Sequence, residues 1–560
     1  MSVPPTTSPG PAPVPGEAAT APPSPGPGPS SAPRRPRPWT ATAAALLLLA
    51  APVLWVDVVP STDLPQLTAQ LRLLADPSAA GHGEVAVQWW HPNKLGYLPL
   101  AAGWWVAGPE RAGAVGLALV VFLWVGTFFG IARRRFLEPA HAALGASLVF
   151  NVAFHWGFVN FLLGLPLFLW WVDRLDPPPD PIGAGRSGRS PLDGLIWLGL
   201  GALLYAAHVL WLAVAVGFMV ATSIRRRAFA ALAHRLLWLT PVAAAVVAWY
   251  VFFRDTGVDQ RLFWGQPPWW RLHPGWLVES LFGGTRGVAE PVLAAALAAW
   301  AGLGFLHARL HRRRGGSTGP DRARRRGLLE AAALLFALAF LLPAVYHHTI
   351  LFAARWLAPG MALLVLAAPA PRLSPLLARG VPWVLTVSLS ASLLAGWLGF
   401  QDELGGFDDA LQAVGRLQGE VESGGVEAAD GGSSLRLLGL DFIRESERID
   451  GYPYHHLPAL AQVRHGVALN RSFADDPASL VVFAPLPHEY PWTDRLDWTP
   501  EKLRRSDFDH FDLLLAHAPP ELHGRFDADP RLAPLTGPAA WRLYRILRPG
   551  DGPRATEQAP

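Results

Sequence analysis

The sequence predicts an α-helical polytopic membrane protein with a small α/β domain after its last span. Three observations predict it. Hydrophobic residues make up 51% of the 560 residues and charged ones only 16%, with a mean hydropathy of +0.24. A soluble chain is about one-quarter charged. Apolar runs recur from Trp39 to Phe400, many of them near the roughly 20 residues that a bilayer span needs. Short arginine clusters fill alternate connections between these runs, which is the pattern of cytoplasmic loops. The pI near 9.6 comes from those clusters, so nucleic acid is not expected as a partner. Cysteine is absent, which excludes disulfides, zinc-thiolate sites and cysteine nucleophiles.

Residues 1–38 are rich in Pro, Ser, Ala and Gly and have no means of burying a core, so a disordered cytoplasmic tail is expected. It ends in Arg34, Arg35 and Arg37, just before an apolar run from Trp39 to Val59 that reads as an uncleaved first span. Arg133–Arg135, Arg174 with Arg186 and Arg189, Arg225–Arg227, Arg312–Arg314 with Arg322–Arg326, and Arg372 with Arg379 follow later runs. Placing all of them inside makes the runs at about 139–155, 192–205, 235–253, 327–345 and 381–400 cross outward. The expectation is a transmembrane region at 39–400 with about eleven spans, outer loops at 60–111 and 254–289, and an outside C-terminus in a cell (inner) membrane. Residues 95–108 are apolar but short. They read as a re-entrant or interfacial piece, because a full crossing would put Arg133–Arg135 outside.

After residue 400 the pattern changes. Phe407, Leu411, Val414, Leu417 and Val421 recur at helical spacing, and β-like runs follow at 435–440, 479–484, 511–517 and 541–546. This predicts an exported α/β domain over 401–548 and a polar tail over 549–560.

The chain has no P-loop, H-E-x-x-H motif, nucleophile elbow or dinucleotide fingerprint. Its polar residues gather instead at the expected outer ends: Asp57, Asp63, His91, Asn93, Lys94, His155, Asn160, Arg254, Asp255, Tyr346, His347, His348 and Arg355. Within the spans His208 is the main exception and reads as a hydrogen-bonded interior histidine. Midplane transport sites need polar broken helices, which are scarce here. A substrate with its tail in the bilayer and its head outside fits this distribution. Of the 25 tryptophans most read as interfacial belt residues, with Trp89, Trp90, Trp269 and Trp270 kept as ligand candidates. His455 and His456 have no metal-ligand partners at a recognisable spacing and read as ordinary domain histidines.

The first outer loop runs VDVVPSTDLPQLTAQLRLLAD from Val56 to Asp76, then WWHPNKLGY from Trp89 to Tyr97. An acidic residue soon after span one, an interfacial helix and an aromatic, basic segment resemble the GT-C glycosyltransferase superfamily. So do NVAFHWGFVNFLLGLPLFLWW from Asn151 and a late span opening with arginine, AARWLAPGMALLVLAA from Ala353. The loop departs from that pattern where Leu64 follows Asp63 and where Gln66 stands in place of a histidine common in such proteins. The resemblance implies transfer of a sugar from a polyprenyl-phosphate donor to an outer-face glycan, lipid or protein. It implies Asp63, and less so Asp57, as base or metal ligand, with a divalent metal as an open question. Arg355, His347, His348, Lys94, His91, Trp89 and Trp90 would bind substrate. Two other readings stay open: an inactive GT-C-like envelope scaffold, and a transporter or flippase for a lipid-linked substrate.

Overall fold

A computed structural model describes residues 38–81, 84–177, 190–253, 262–265, 267–313, 319–346, 349–425, 428, 434–484 and 490–548. In chain order the first part comprises α1 (Pro38–Trp55), α2 (Leu64–Ala75), β1 (Glu84–Val87), α3 (Tyr97–Arg135), α4 (Pro139–Ser147), α5 (Val152–His155), α6 (Val159–Leu175), α7 (Pro191–Ala207), α8 (Val209–Arg225) and α9 (Phe229–Phe253). It continues with β2 (Leu262–Phe263), α10 (Pro274–Leu281), α11 (Ala289–Arg313), α12 (Gly319–Leu341), β3 (Val345–Tyr346), α13 (Leu357–Ala367) and α14 (Pro375–Glu403). The C-terminal part holds α15 (Phe407–Glu422), β4 (Arg436–Asp441), α16 (Ala459–His465), β5 (Ala468–Leu469), β6 (Val481–Ala484), β7 (Leu513–His517), α17 (Pro520–Asp527), β8 (Leu532–Pro534) and β9 (Trp541–Ile546).

Among the described residues four helices are long and apolar enough to cross a membrane: Tyr97–Arg135, Phe229–Phe252, Ala289–Arg313 and Pro375–Glu403. The expected count of about eleven spans is not supported. Trp39–Trp55, Pro191–Ala207, Val209–Arg225 and Ala354–Ala367 are apolar but shorter. A helix such as α7, with 17 residues, rises only about 26 Å against a hydrocarbon core of about 30 Å. The run at 139–155 is broken by Asn151. Its Nδ2 donates to Leu148 O at 2.7 Å and its Oδ1 accepts the Ala153 N–H at 2.9 Å, so α4 stops and α5 starts anew.

The arginine runs converge. Arg133 lies over the Trp39 ring at 5.8 Å. Arg135 is fully buried, with Nε 2.7 Å from Asp173 Oδ1 and Nη1 donating to Arg324 O at 2.8 Å. Arg226 pairs with Asp176, and Arg225 with Glu330. Arg325 donates to Ala367 O at 3.0 Å, and the Arg372 N–H to His307 Nδ1 at 3.0 Å. The basic ends of α3, α6, α8, α11 and α12 and the α13–α14 connection thus share one face with the start of α1.

The segment expected to be re-entrant forms the first part of α3. Gly108 breaks that helix with φ 76° and ψ 175°. The chain then doubles back: a Cβ on Gly103 would stand 2.4 Å from Ala112 O, and one on Gly116 would stand 2.8 Å from Leu100 Cα. Only glycine permits backbones to approach this closely.

At the other end lies a five-stranded sheet of order β5-β4-β7-β9-β8. β4 is parallel to β5 and β7, while β9 is antiparallel to β7 and β8. The apolar face of α15 packs here, with Phe407 against Trp541 at 4.8 Å between ring centroids. Of the β-like runs, that at 479–484 leaves this sheet. As β6 it pairs antiparallel with β1 of the first loop, Glu84 opposite Ala484. The C-terminal layer is therefore built partly from residues between α1 and α3.

Arg135 and Asp173 are exposed by 0% and 1% at their side chains. Removing one partner of a buried pair costs about 3–5 kcal/mol, because the other charge stays buried. Asp173→Asn should lower the melting midpoint of the protein in detergent, followed by tryptophan emission. Arg326→Gln breaks a half-exposed pair with Glu330 and should cost less than about 1 kcal/mol. Equal midpoints for Asp173→Asn and the unmodified protein would show that the buried pair adds nothing.

Candidate active site

Asp63 is positioned by its backbone. Ser61 Oγ donates to Phe154 O at 2.9 Å, the Thr62 N–H to His155 O at 2.8 Å and the Asp63 N–H to Trp156 O at 3.2 Å. Residues 61–63 are thereby strapped to the turn between α5 and α6. That turn needs Gly157, whose φ is +79° and where a Cβ would stand 2.9 Å from Asp63 N. Asp63 then opens α2, and its carbonyl accepts the Leu67 N–H at 2.9 Å. A carboxylate here ordinarily caps the helix. The Asp63 side chain makes no capping bond.

The carboxylate faces two groups from distant sequence. His456 Nε2, from the C-terminal layer, is 3.6 Å from Asp63 Oδ1. Arg355, just before α13, pulls on the carboxylate electrostatically. Burial dominates, and raises the Asp63 pKa from 3.8 to about 7 against the opposing pull of Arg355. Arg355 is itself buried. Its Nε donates to Leu351 O at 3.3 Å, Nη2 donates to Ile350 O, and the guanidinium lies 4.5 Å from the Phe158 ring centroid and 5.2 Å from that of Phe161. Stacking on rings suits a guanidinium better than an ammonium. Nη1 has no hydrogen-bond partner among the described residues.

His456 packs on His455 at 4.2 Å and on Phe473 at 5.3 Å between ring centroids. Burial, then His455, then Arg471 hold its pKa well below the usual histidine value, so the ring is neutral. His455 is lowered to about 4, first by burial and then by Arg444 and Arg471, and its ring lies 4.0 Å from Trp498.

The other expected site residues divide. Lys94 is buried beside Asp476 and donates from Nζ to Ala478 O at 2.6 Å. Burial pushes its pKa down to about 7, with Asp476 opposing. His91 is engaged in structure: Trp249 Nε1 donates to its Nε2 at 2.9 Å, and its Nδ1 lies 3.0 Å from Pro92 O. Burial, with Lys94, lowers its pKa to about 4. Trp89 and Trp90 are exposed. Asp57 stands apart, with an exposed side chain paired to Arg111 at 3.1 Å. His208 caps α8 and sets its ring 5.5 Å from Phe161, near Arg355. His347, His348, Arg254 and Asp255 lie outside the described residues. Among the described residues no group of three or more His, Asp and Glu side chains is placed to hold a metal.

Sequence reasoning missed His456. The available signal was a histidine pair set among Tyr452, Pro453, Tyr454 and Pro458, an aromatic, turn-forming surround unlike a solvated loop. Comparison of the chain with protein families, characterised proteins and solved structures finds no match.

The raised Asp63 pKa carries a stability consequence. The folded state holds this proton up to about pH 7, and the unfolded carboxyl releases it near 3.8. Stability tied to Asp63 is therefore full below pH 3.8 and is lost as pH rises through 7. Asp63→Asn removes the penalty. The variant should melt at higher temperature than the unmodified protein at pH 8.5, by the equivalent of a few kcal/mol, and at a similar temperature near pH 3.5. A lower midpoint for the variant at pH 8.5 would contradict the raised pKa.

Proposed function

We propose that this chain is a GT-C-like glycosyltransferase of the cell (inner) membrane. It moves a sugar from a polyprenyl-phosphate donor to a glycan, lipid or protein acceptor on the outer face. The observation that carries the reading is the electrostatic coupling of Asp63 to Arg355, far apart in sequence, beside the C-terminal layer that supplies His456 and away from the arginine-rich face. A carboxyl with a pKa of about 7 suits a general base at neutral pH. In the proposed step the acceptor O–H bond breaks and its proton passes to Asp63. The acceptor oxygen bonds the anomeric carbon, and the bond from that carbon to the phosphate oxygen breaks. Arg355 meets the phosphate charge, which a guanidinium can bind with two parallel hydrogen bonds. The arginine-rich face would be cytoplasmic by the positive-inside rule, with the C-terminal layer outside.

Orientation is tested by thiol labelling, which the absence of cysteine simplifies. Ser423 and Ser374 are both exposed, the first after α15 and the second at the start of α14 near the arginine-rich face. Ser423→Cys should react with a membrane-impermeant reagent in intact cells, and Ser374→Cys only after permeabilisation. The reverse pattern would invert the orientation.

Activity is tested with membranes containing the chain and a panel of labelled polyprenyl-phosphate sugars. Asp63→Asn should lower transfer by about 10²–10⁴-fold while carrier binding persists. Arg355→Lys keeps the charge but loses the fork, and should weaken carrier binding. Asp57→Asn should leave transfer near its starting level. Undiminished transfer in Asp63→Asn would remove the base from the mechanism and turn the reading toward a scaffold or a lipid-substrate transporter.

A further inference from the structure

The C-terminal layer supplies one side chain to the space that Asp63 faces. We propose that His456 is a positioning residue for Asp63, its neutral imidazole donating Nε2–H to the carboxylate and fixing both the orientation and the basicity of that group. The inference rests on the reading of Asp63 as the base.

Geometry carries it first. His456 Nε2 and Asp63 Oδ1 are 3.6 Å apart, about half an ångström beyond the length of a hydrogen bond. Such bonds are commonly long in a substrate-free enzyme and tighten when the substrate binds. A carboxylate opposite Nε2 selects the tautomer with its proton there. The ring is held from both sides, by His455 and by Phe473. Phe473 is held in turn by α2, since its N–H donates to Gln66 Oε1 at 3.1 Å while Gln66 Nε2 donates to Arg471 O at 3.1 Å. Gln66 lies in the first turn of the helix that Asp63 opens. One short segment at the start of α2 therefore carries the carboxylate and fixes the packing around the histidine opposite it.

The surrounding charges decide which form of His456 acts. Asp63 is faced by His456, by Arg355 and, at the start of α3, by Tyr97. His456 is faced by Asp63, His455 and Arg471. His455 and Arg471 both disfavour an imidazolium, and burial does so more strongly. His456 thus acts as a neutral donor rather than as the cation of an ion pair. A hydrogen bond to the carboxylate form favours that form, so losing it raises the carboxyl pKa.

The test reads Asp63 directly. The full chain in lipid nanodiscs is titrated by infrared difference spectroscopy, and the Asp63 carboxyl band is identified as the one lost in Asp63→Asn. Its midpoint should lie near pH 7. His456→Ala should raise that midpoint by about one pH unit. His456→Gln, whose amide N–H reaches to a similar distance, should leave it within a few tenths. His456→Asn is too short and should behave like alanine, which keeps the comparison available if the alanine protein does not fold. Equal midpoints for the glutamine and asparagine variants would overturn the proposal, as would an unmoved midpoint in His456→Ala. A shifted midpoint in a protein that transfers no sugar upholds the positioning contact and overturns the glycosyltransferase reading. Transfer abolished in His456→Ala with no shift overturns the positioning role alone.

Discussion

Gln66 and Gln70 on α2 join the membrane helices to the C-terminal layer, and the site depends on that join. Gln66 bonds the backbone at Arg471 and Phe473, and Gln70 Oε1 accepts the Val481 N–H at 2.7 Å. The β1–β6 ladder, Gln462 Nε2 donating to Ala79 O at 2.8 Å and Arg436 Nη2 donating to Gly81 O at 3.2 Å extend the join along the first loop. A typical neutral hydrogen bond contributes only about 0.5–1.5 kcal/mol net. Leaving these buried groups unpaired would cost more, about 1–3 kcal/mol each. The layer is thus held in one register by the penalty for any other. One face of its sheet shares a core with the helices, through Leu437, Leu513, Leu515 and Trp541, while the other face holds a cluster of its own around Leu438, Leu440, Leu514 and Tyr544.

Charge is sorted between the two ends of the molecule for different physical reasons. At the arginine-rich end cations are paired or bonded to helix-terminal carbonyls, as Arg135 and Arg325 are, and the network ties neighbouring helices together. At the other end Asp63, Lys94 and Arg355 have no salt bridge to an oppositely charged carboxylate, lysine or arginine among the described residues, and Asp63 is faced by the neutral His456. Arg355 is surrounded by carbonyls and ring faces, and Lys94 by a carbonyl. The first arrangement stabilises the fold. The second leaves desolvated charges whose balance a bound anion or proton can change, and such groups concentrate at functional sites.

How much of this was legible in the sequence follows from the range of the interactions. Convergence of the arginine runs was legible, because loop charge is a local pattern. Asp63 and Arg355 were legible as candidates because the polar residues of the apolar region gather at the ends of its runs, though that pattern did not single them out from the other residues there. The helix break at Asn151 was less visible, since one asparagine in a run of apolar residues barely alters its hydropathy, yet its side chain replaces backbone bonds and stops the helix. The departure of β6 from its neighbours was not legible, because its partner β1 is about four hundred residues earlier and strand propensity carries no partner identity. His456 was hidden for the same reason. A histidine pair without metal-ligand spacing is informative only once the fold sets it opposite Asp63.

On the proposed reading these long-range contacts also order the chemistry. Arg355 and Asp63 are coupled: the guanidinium lowers the carboxyl pKa, while burial raises it. A phosphate that engages Arg355 would offset part of that positive field. The carboxylate of Asp63 would then become more basic once the donor is seated. The same anion would favour the charged form of Lys94, which burial holds near pH 7, wherever the phosphate comes within reach of it. On this reading Asp63 would be a base moderated by Arg355. On the same reading donor binding would raise the basicity of Asp63 at the cost of a smaller carboxylate fraction at neutral pH, and would favour the charged form of Lys94 where the phosphate reaches it. The order in which substrates bind would thus be set by electrostatics within a buried site, without any movement of the backbone.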